Sequence, residues 1–230
     1  MCFFILIEAM NNVTPYINIH THQATAEDEL SIFNAPDHFN PWTSNIYVSI
    51  GIHPWNIQKI NSTECLDSIQ TNAAAKNVLA IGECGLDKLI DTDLKTQEEL
   101  FKQQIHIAEA LKKPLIIHCV KAFDELIRIK KELNVRVPMI VHGYNNNKQI
   151  AAKLLENNFY FSFGKALLKE DSNASKIIST IPIGQLFLET DDTDIPIKSI
   201  FERASRYLQM NEAALKEKIY LNFKRIFTNE

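Results

Sequence analysis

The strongest constraint in this sequence is a recurring unit: a short apolar run followed by a longer stretch whose apolar residues fall at helical spacing. The runs cover residues 16–20, 46–52, 78–82, 115–118, 139–142, 160–163 and 186–189. Each is rich in Ile, Val, Leu or Phe and short enough to be a buried strand. Between them, Leu100, Phe101, Ile105, Ala108 and Leu111 share one helical face, as do Phe123, Leu126, Ile127 and Leu133. Ile150, Ala151, Leu154 and Leu155 mark a third helix, and two more are predicted at roughly 199–208 and 213–227, with Ser199 as an N-cap. Fully apolar strands alternating with helices predict an α/β fold with a parallel sheet covered by helices.

Such a sheet is either open or closed into a (β/α) barrel of seven to eight strands, and the polar residues decide between them. Nearly every run ends in a residue able to bind metal or move protons. In a barrel those ends converge on one mouth, whereas an open sheet strings them along an edge around one switch point. No glycine-rich phosphate loop follows the first run, so the barrel is the expectation. The 230 residues suit one such domain spanning 1–230, since no repeat or Gly/Ser-rich linker divides them. Residues 1–12 read as an extension, either an added strand or plug or the product of an upstream start codon. They lack the basic start and small-residue cleavage pattern of a signal peptide and are too short to cross a bilayer.

A net charge of −4 argues against coating nucleic acid by bulk electrostatics, but leaves room for a local grip through metal ions and a few lysines. The cysteines, Cys2, Cys65, Cys84 and Cys119, form no C-x-x-C pair. That spacing disfavours a disulfide framework or a zinc-thiolate site and points to the reducing cytoplasm.

The chemistry gathers at the run ends. His20 and His22 are two residues apart, so in an extended segment they point the same way and form a half-site for a cation. Taken alone, they could equally be surface histidines. His53, in Gly51-Ile52-His53-Pro54-Trp55, either touches substrate or is hydrogen-bonded within a rigid loop. Glu83 follows an apolar run between Gly82 and Gly85, where burial is costly unless the carboxylate is paired or coordinated. The glycines let the backbone approach something bulky. The two oxygens of Glu83 could bridge two cations, and Asp87 could orient a metal-bound imidazole; the competing reading of Glu83 is a salt-bridged rim residue. His118 and His142 end consecutive runs where a core role would suit Leu or Val. Asp191 can ligate a metal and accept a proton from water, with Glu189 supporting it and Asp192 on the rim. Lys121 and Lys165 lie near the mouth and favour a phosphate. His38 and His106 read as ordinary surface residues, and Arg128, Lys130 and Lys131 as a solvated face.

These pieces, namely His20-Thr21-His22, Gly51-Ile52-His53-Pro54, Ile81-Gly82-Glu83-Cys84-Gly85-Leu86-Asp87, Ile117-His118-Cys119, Val141-His142-Gly143 and Leu188-Glu189-Thr190-Asp191, resemble the TatD family of metal-dependent deoxyribonucleases. The resemblance runs from Tyr16 to Phe227. It implies a TIM-type barrel and two divalent ions, magnesium, manganese or zinc. Carried over by position, His20, His22, Glu83 and Asp191 hold one ion. Glu83 bridges to a second held by His118 and His142, and Asp191 is the base. The implied reaction is cleavage of phosphodiester bonds in DNA, exonucleolytic on single strands. No membrane and no obligate protein partner are implied.

The chain departs from the family pattern at four places. Asn18 stands where Asp is common, so an anion near the site is lost. Val120 and Lys121 follow His118 where Arg is common. Gly143-Tyr144-Asn145-Asn146 replaces Cys-Phe-Ser-Gly, and Asp192-Thr193 replaces Ala-Pro. The chain is also shorter than typical members between its first two runs, which opens the mouth. These changes bear on substrate contacts, so two other readings stay open: hydrolysis of a small-molecule ester, amide or phosphotriester, and a non-catalytic binding module on the same barrel.

Overall fold

The computed structural model describes residues 14–23, 28–36 and 39–228; the 1–12 extension and His38 lie outside them. Eight parallel strands follow one another in chain order. They are β1 (Tyr16–Thr21), β2 (Glu29–Asn34), β3 (Val48–Ile50), β4 (Val78–Asp87), β5 (Leu115–Val120), β6 (Met139–Val141), β7 (Tyr160–Phe163) and β8 (Leu186–Leu188). Just past β8, Asp191 pairs in parallel with Thr21 of β1. There the His22 N–H donates to the Asp191 carbonyl and the Asp191 N–H to the His20 carbonyl, both at 3.0 Å. The sheet closes into the expected barrel, with its seam at the end where the chemistry gathers.

Seven of the strands coincide with the apolar runs; β2 does not. In Glu29–Asn34 the apolar Leu30 and Ile32 alternate with Glu29 and Ser31, so the segment never forms a continuous run. Only seven residues separate it from β1, fewer than the dozen or so of an ordinary parallel crossover. The link from β2 to β3 carries a single 3-10 turn, Pro41–Thr43, among the described residues. The shortening noted between the first two runs therefore reflects missing crossover length around a strand that is present.

The seam is reinforced by side chains. Asn18 Nδ2 donates to Thr190 Oγ1 at 2.8 Å and Thr190 N–H donates back to Asn18 Oδ1 at 3.1 Å. Asn18 Nδ2 also donates to Glu29 Oε1 at 2.7 Å. An aspartate at 18 has no proton to donate and would face the Glu29 carboxylate, so the anion missing from β1 has its counterpart on β2.

Helices fill the later crossovers: α1 (Ser62–Asn72), α2 (Leu94–Leu111), α3 (Phe123–Glu132), α4 (Lys148–Glu156), α5 (Asn173–Ile177), α6 (Ile197–Tyr207) and α7 (Glu212–Phe223). Their starts follow local chemistry: Asn61, Asp93, Asn147 and Asn211 each accept from a backbone N–H in the first turn. Their apolar faces, such as Leu100, Phe101, Ile105 and Ala108 of α2, are buried against the barrel. Two expectations need correction. Ser199 lies inside the first turn of α6, whose N-cap position is Pro196, and its N–H donates to the Pro196 carbonyl at 2.9 Å. Lys130 is half-buried rather than solvated, its ammonium over the Phe159 ring, 4.4 Å from the centroid, and donating to the Asn158 carbonyl at 2.9 Å. Arg128 and Lys131 are exposed, as is His106. No helix among the described residues is long and apolar enough to cross a membrane.

Candidate metal centre

Glu83 sits within β4, which runs through the whole Gly82-to-Asp87 motif. The pairing with β5 shifts register between Ile81 and Cys84, a local irregularity of the kind that re-aims a side chain. The bulky neighbour that the flanking glycines admit is β5 itself. A Cβ on Gly85 would lie 2.0 Å from the His118 carbonyl oxygen, and one on Gly82 would lie 2.5 Å from that of Ile116. The glycines thus bring β4 and β5 together so that Glu83 and His118 meet.

Five imidazoles converge on the buried Glu83 carboxylate. Its Oε1 is 2.8 Å from His142 Nε2, 3.0 Å from His53 Nε2 and 3.0 Å from His118 Nδ1. Its Oε2 is 3.2 Å from His20 Nε2 and 3.7 Å from His22 Nε2. Those two histidines also face Asp191 Oδ1, at 3.6 and 3.8 Å. The two oxygens of one carboxylate therefore look into two separate groups of nitrogen donors. His20 is fully buried, and neither of its ring nitrogens makes a hydrogen bond of good geometry.

Surrounding contacts fix the tautomers. His142 Nδ1–H donates to Glu189 Oε1 at 3.2 Å, and that oxygen also accepts from Gly143 N–H at 2.6 Å. His118 Nε2–H donates to Asp87 Oδ2 at 3.3 Å. With a cation bound between them and Glu83, each ring would present its other nitrogen as a lone pair, the arrangement of a metal-ligating histidine. His53 is the reverse. It caps the 3-10 turn Pro54–Lys59, its Nδ1 accepting from Trp55 N–H at 3.1 Å. In the neutral ring the proton is then on Nε2, which donates to Glu83.

The charges are strongly coupled. Burial alone would raise the Glu83 carboxyl, but the field of His142 and the facing nitrogens of His118, His142 and His20 hold it well below the usual carboxylate range. Burial likewise opposes charge on His142, and Glu83 and Glu189 overcome it, raising the imidazole well above its ordinary value. Burial and His142 disfavour charge on His20, yet the carboxylates of Asp191 and Glu83 facing its Nε2 raise it. His53 is lowered, because its burial outweighs Glu83. Asp191 is lowered despite burial by His20 and His142. Asp87 is lowered despite burial by bonds from Trp55, Leu89 and His118.

This donor set fits divalent cations. A carboxylate oxygen has two lone pairs, and Glu83 Oε1 is faced by three imidazole nitrogens, so hydrogen bonding alone cannot satisfy the arrangement. Ligand atoms of His20, His22 and Asp191, of His20, Glu83 and His142, and of His53, Glu83 and His118 each lie within 4.8 Å of one another.

Other candidates from the sequence lie further out. Lys165 donates to Asp192 Oδ1 at 2.6 Å. Lys121 is exposed just past β5, at φ +55°. Asp191 itself has φ +57°, a left-handed conformation that Asp tolerates better than most residues. Tyr144, in the altered segment after His142, is buried against Phe161 and Phe163, and Asn145 Oδ1 accepts from Ala174 N–H at 3.0 Å; both serve the fold.

Sequence reasoning missed several supports. Asn34 Oδ1, at the end of β2, accepts from Glu83 N–H at 2.9 Å. Gln104 of α2 clamps both polar groups of Ile52, just before His53, at 2.7 and 3.2 Å. Gln97 does the same for Asp87, at 2.7 and 2.9 Å. The one available signal is a glutamine on the buried stripe of an amphipathic helix, at each of Gln97 and Gln104.

Known proteins resemble this chain in sequence and fold. A family model described as TatD related DNase matches residues 8–228. An uncharacterized metal-dependent hydrolase of Buchnera aphidicola is 33% identical over 156 residues, 64% of this chain and 59% of that protein. The uncharacterized metal-dependent hydrolase YabD of Bacillus subtilis is 35% identical over 150 residues, 64% of this chain and 58% of its own length. The alignments thus span less than two thirds of these relatives. Among solved structures, the TatD homologue YjjV of Escherichia coli superposes with a TM-score of 0.82 at 20% identity, over 93% of this chain and 98% of that one. A TatD family hydrolase from Entamoeba histolytica gives 0.77 at 17% identity, over 95% and 99%. With the family model spanning nearly the whole chain and the barrel matching those of its members, this chain belongs to the family of TatD-related DNases.

Proposed function

We propose that the chain is a divalent-metal-dependent hydrolase that cuts phosphodiester bonds, trimming single-stranded DNA from an end. The observation that carries this reading is the placement of Glu83, one oxygen towards His20 and His22 beside Asp191, the other towards His118 and His142. His20, His22, Glu83 and Asp191 would hold one cation, and Glu83, His118 and His142 the other. An imidazole-rich set suits zinc better than manganese or magnesium, which prefer oxygen ligands. When bound, such a pair supplies charge stabilisation to both the attacking and the leaving oxygen of the phosphate.

The protein's own groups do the rest. Asp191, kept ionised by His20 and His142, accepts the proton of the attacking water. His53 cannot offer Nε2 as a ligand in the tautomer that Trp55 N–H imposes; with the Glu83 oxygens taken up by cations, its Nε2–H would turn from Glu83 to a phosphate oxygen. Lys121 draws the strand in, while Lys165 reaches a phosphate only by leaving Asp192. The reduced thiols of Cys84 and Cys119 fit a cytoplasmic setting.

The test is cleavage of end-labelled single-stranded DNA by metal-stripped protein to which zinc, manganese or magnesium is returned, beside Asp191→Asn. The expected result is a metal-dependent ladder shortened from one end, with activity in the folded variant reduced at least a hundredfold, the order seen when a general base is removed. Wild-type protein that binds metal yet leaves DNA intact would redirect the reading to a smaller ester, amide or phosphotriester.

A further inference from the structure

Trp55 is 56% exposed, and Leu89 64%, although both belong to the loops that surround the metal centre. The two residues grip opposite oxygens of one carboxylate. The Trp55 indole N–H donates to Asp87 Oδ2 at 2.8 Å, and Leu89 N–H donates to Asp87 Oδ1 at 2.8 Å. The indole also stands edge-on to His53, at 5.0 Å and 84°, and to His118, at 5.8 Å and 75°. Its polar edge is thus anchored while over half of its surface faces solvent. Holding Asp87 requires only an N–H donor. It does not require the largest apolar side chain, left uncovered at the rim beside a leucine.

Charge sharpens the point. The net charge is −4, and cations that could meet a polyanion are engaged elsewhere: Lys88 with Glu125, Arg128 with Glu98 and Glu132, Lys165 with Asp192. A strand held without a basic groove needs another source of affinity, and bases stacking on exposed aromatic rings provide one that tolerates any sequence.

We propose that Trp55, flanked by Leu89, is the stacking platform for a nucleobase of single-stranded nucleic acid next to the bond that is cut. The proposal rests on the nuclease reading and adds a base-recognising subsite to it. A polyanion without bases should then bind poorly.

The chain has two tryptophans, so Trp42→Phe leaves Trp55 as sole reporter. Its emission in the metal-loaded protein is titrated with a hydrolysis-resistant phosphorothioate DNA strand and with an abasic strand of equal length. Binding of a labelled strand by Trp55→Ala and Trp55→Phe is measured in parallel, with metal content checked in each. Saturable quenching by the base-bearing strand, and at least several-fold weaker binding of the abasic one, is expected. Trp55→Ala should weaken binding about tenfold, the scale of one lost stack, whereas Trp55→Phe, which keeps a ring but loses the N–H, should stay within about threefold. Equal losses in both variants would assign Trp55 to positioning Asp87 and overturn the platform, as would equal quenching by the two strands. If wild-type protein cuts DNA while quenching is absent, the platform falls and the nuclease reading stands; if it neither binds nor cuts DNA, both fall.

Discussion

Two histidines equally near Glu83 can do opposite things, because the proton on each ring is fixed from behind. With cations bound, Glu189 and Asp87 would take the N–H of His142 and His118 and leave lone pairs facing the centre, whereas Trp55 N–H leaves His53 facing it with a proton. His142→Ala is therefore expected to lose at least half of the bound metal, measured by elemental analysis after dialysis. His53→Ala should keep its metal and lose turnover. Metal loss in His53→Ala matching that in His142→Ala would return His53 to the ligand set. The histidines and carboxylates of the centre were legible because each ends an apolar run, where burial needs a reason. The direction of each proton was not, since it depends on backbone amides that the sequence does not locate.

At the scale of elements, α2 acts as a splint for two site loops. Gln104 satisfies the N–H and C=O of Ile52, and Gln97 those of Asp87, in positions closed to water. Gln104→Leu strands two buried backbone groups, so it should lower stability by about 2 kcal/mol and reduce turnover through the loop that carries His53. Urea unfolding beside activity checks this; an unchanged midpoint would mean that water reaches Ile52. These glutamines were hard to read because their partners lie 52 and 10 residues away in sequence. β2 was missed for a different reason: its Glu29 and Ser31 are bonded to each other and Glu29 to Asn18, so polar residues occupy a strand that pattern reading expects to be apolar. The long, periodic helices and the seven apolar strands had no such complication.

For the molecule as a whole, the metal centre and the barrel seam are one place. His20, His22 and Asp191 lie at or just past the ends of the two strands that close the barrel, and His118, His142 and Glu83 in or just past strands across the mouth. Cations there would tie the seam to the opposite wall. Removing metal should lower the melting temperature, in line with a loss of about 4 kcal/mol when free metal had been at a thousandfold its dissociation constant. Hydrogen exchange should quicken first at the amides of His22 and Asp191. Exchange that quickens evenly round the barrel would separate seam from centre. The seam also sets a schedule for synthesis. Asn18 and its partner Thr190 are 172 residues apart, so on a ribosome adding about 5–20 residues per second the free edge of β1 waits roughly ten to thirty seconds for its mate. During that interval the nascent chain offers an unpaired strand to any neighbour, and shielding it falls to whatever meets the polypeptide as it emerges.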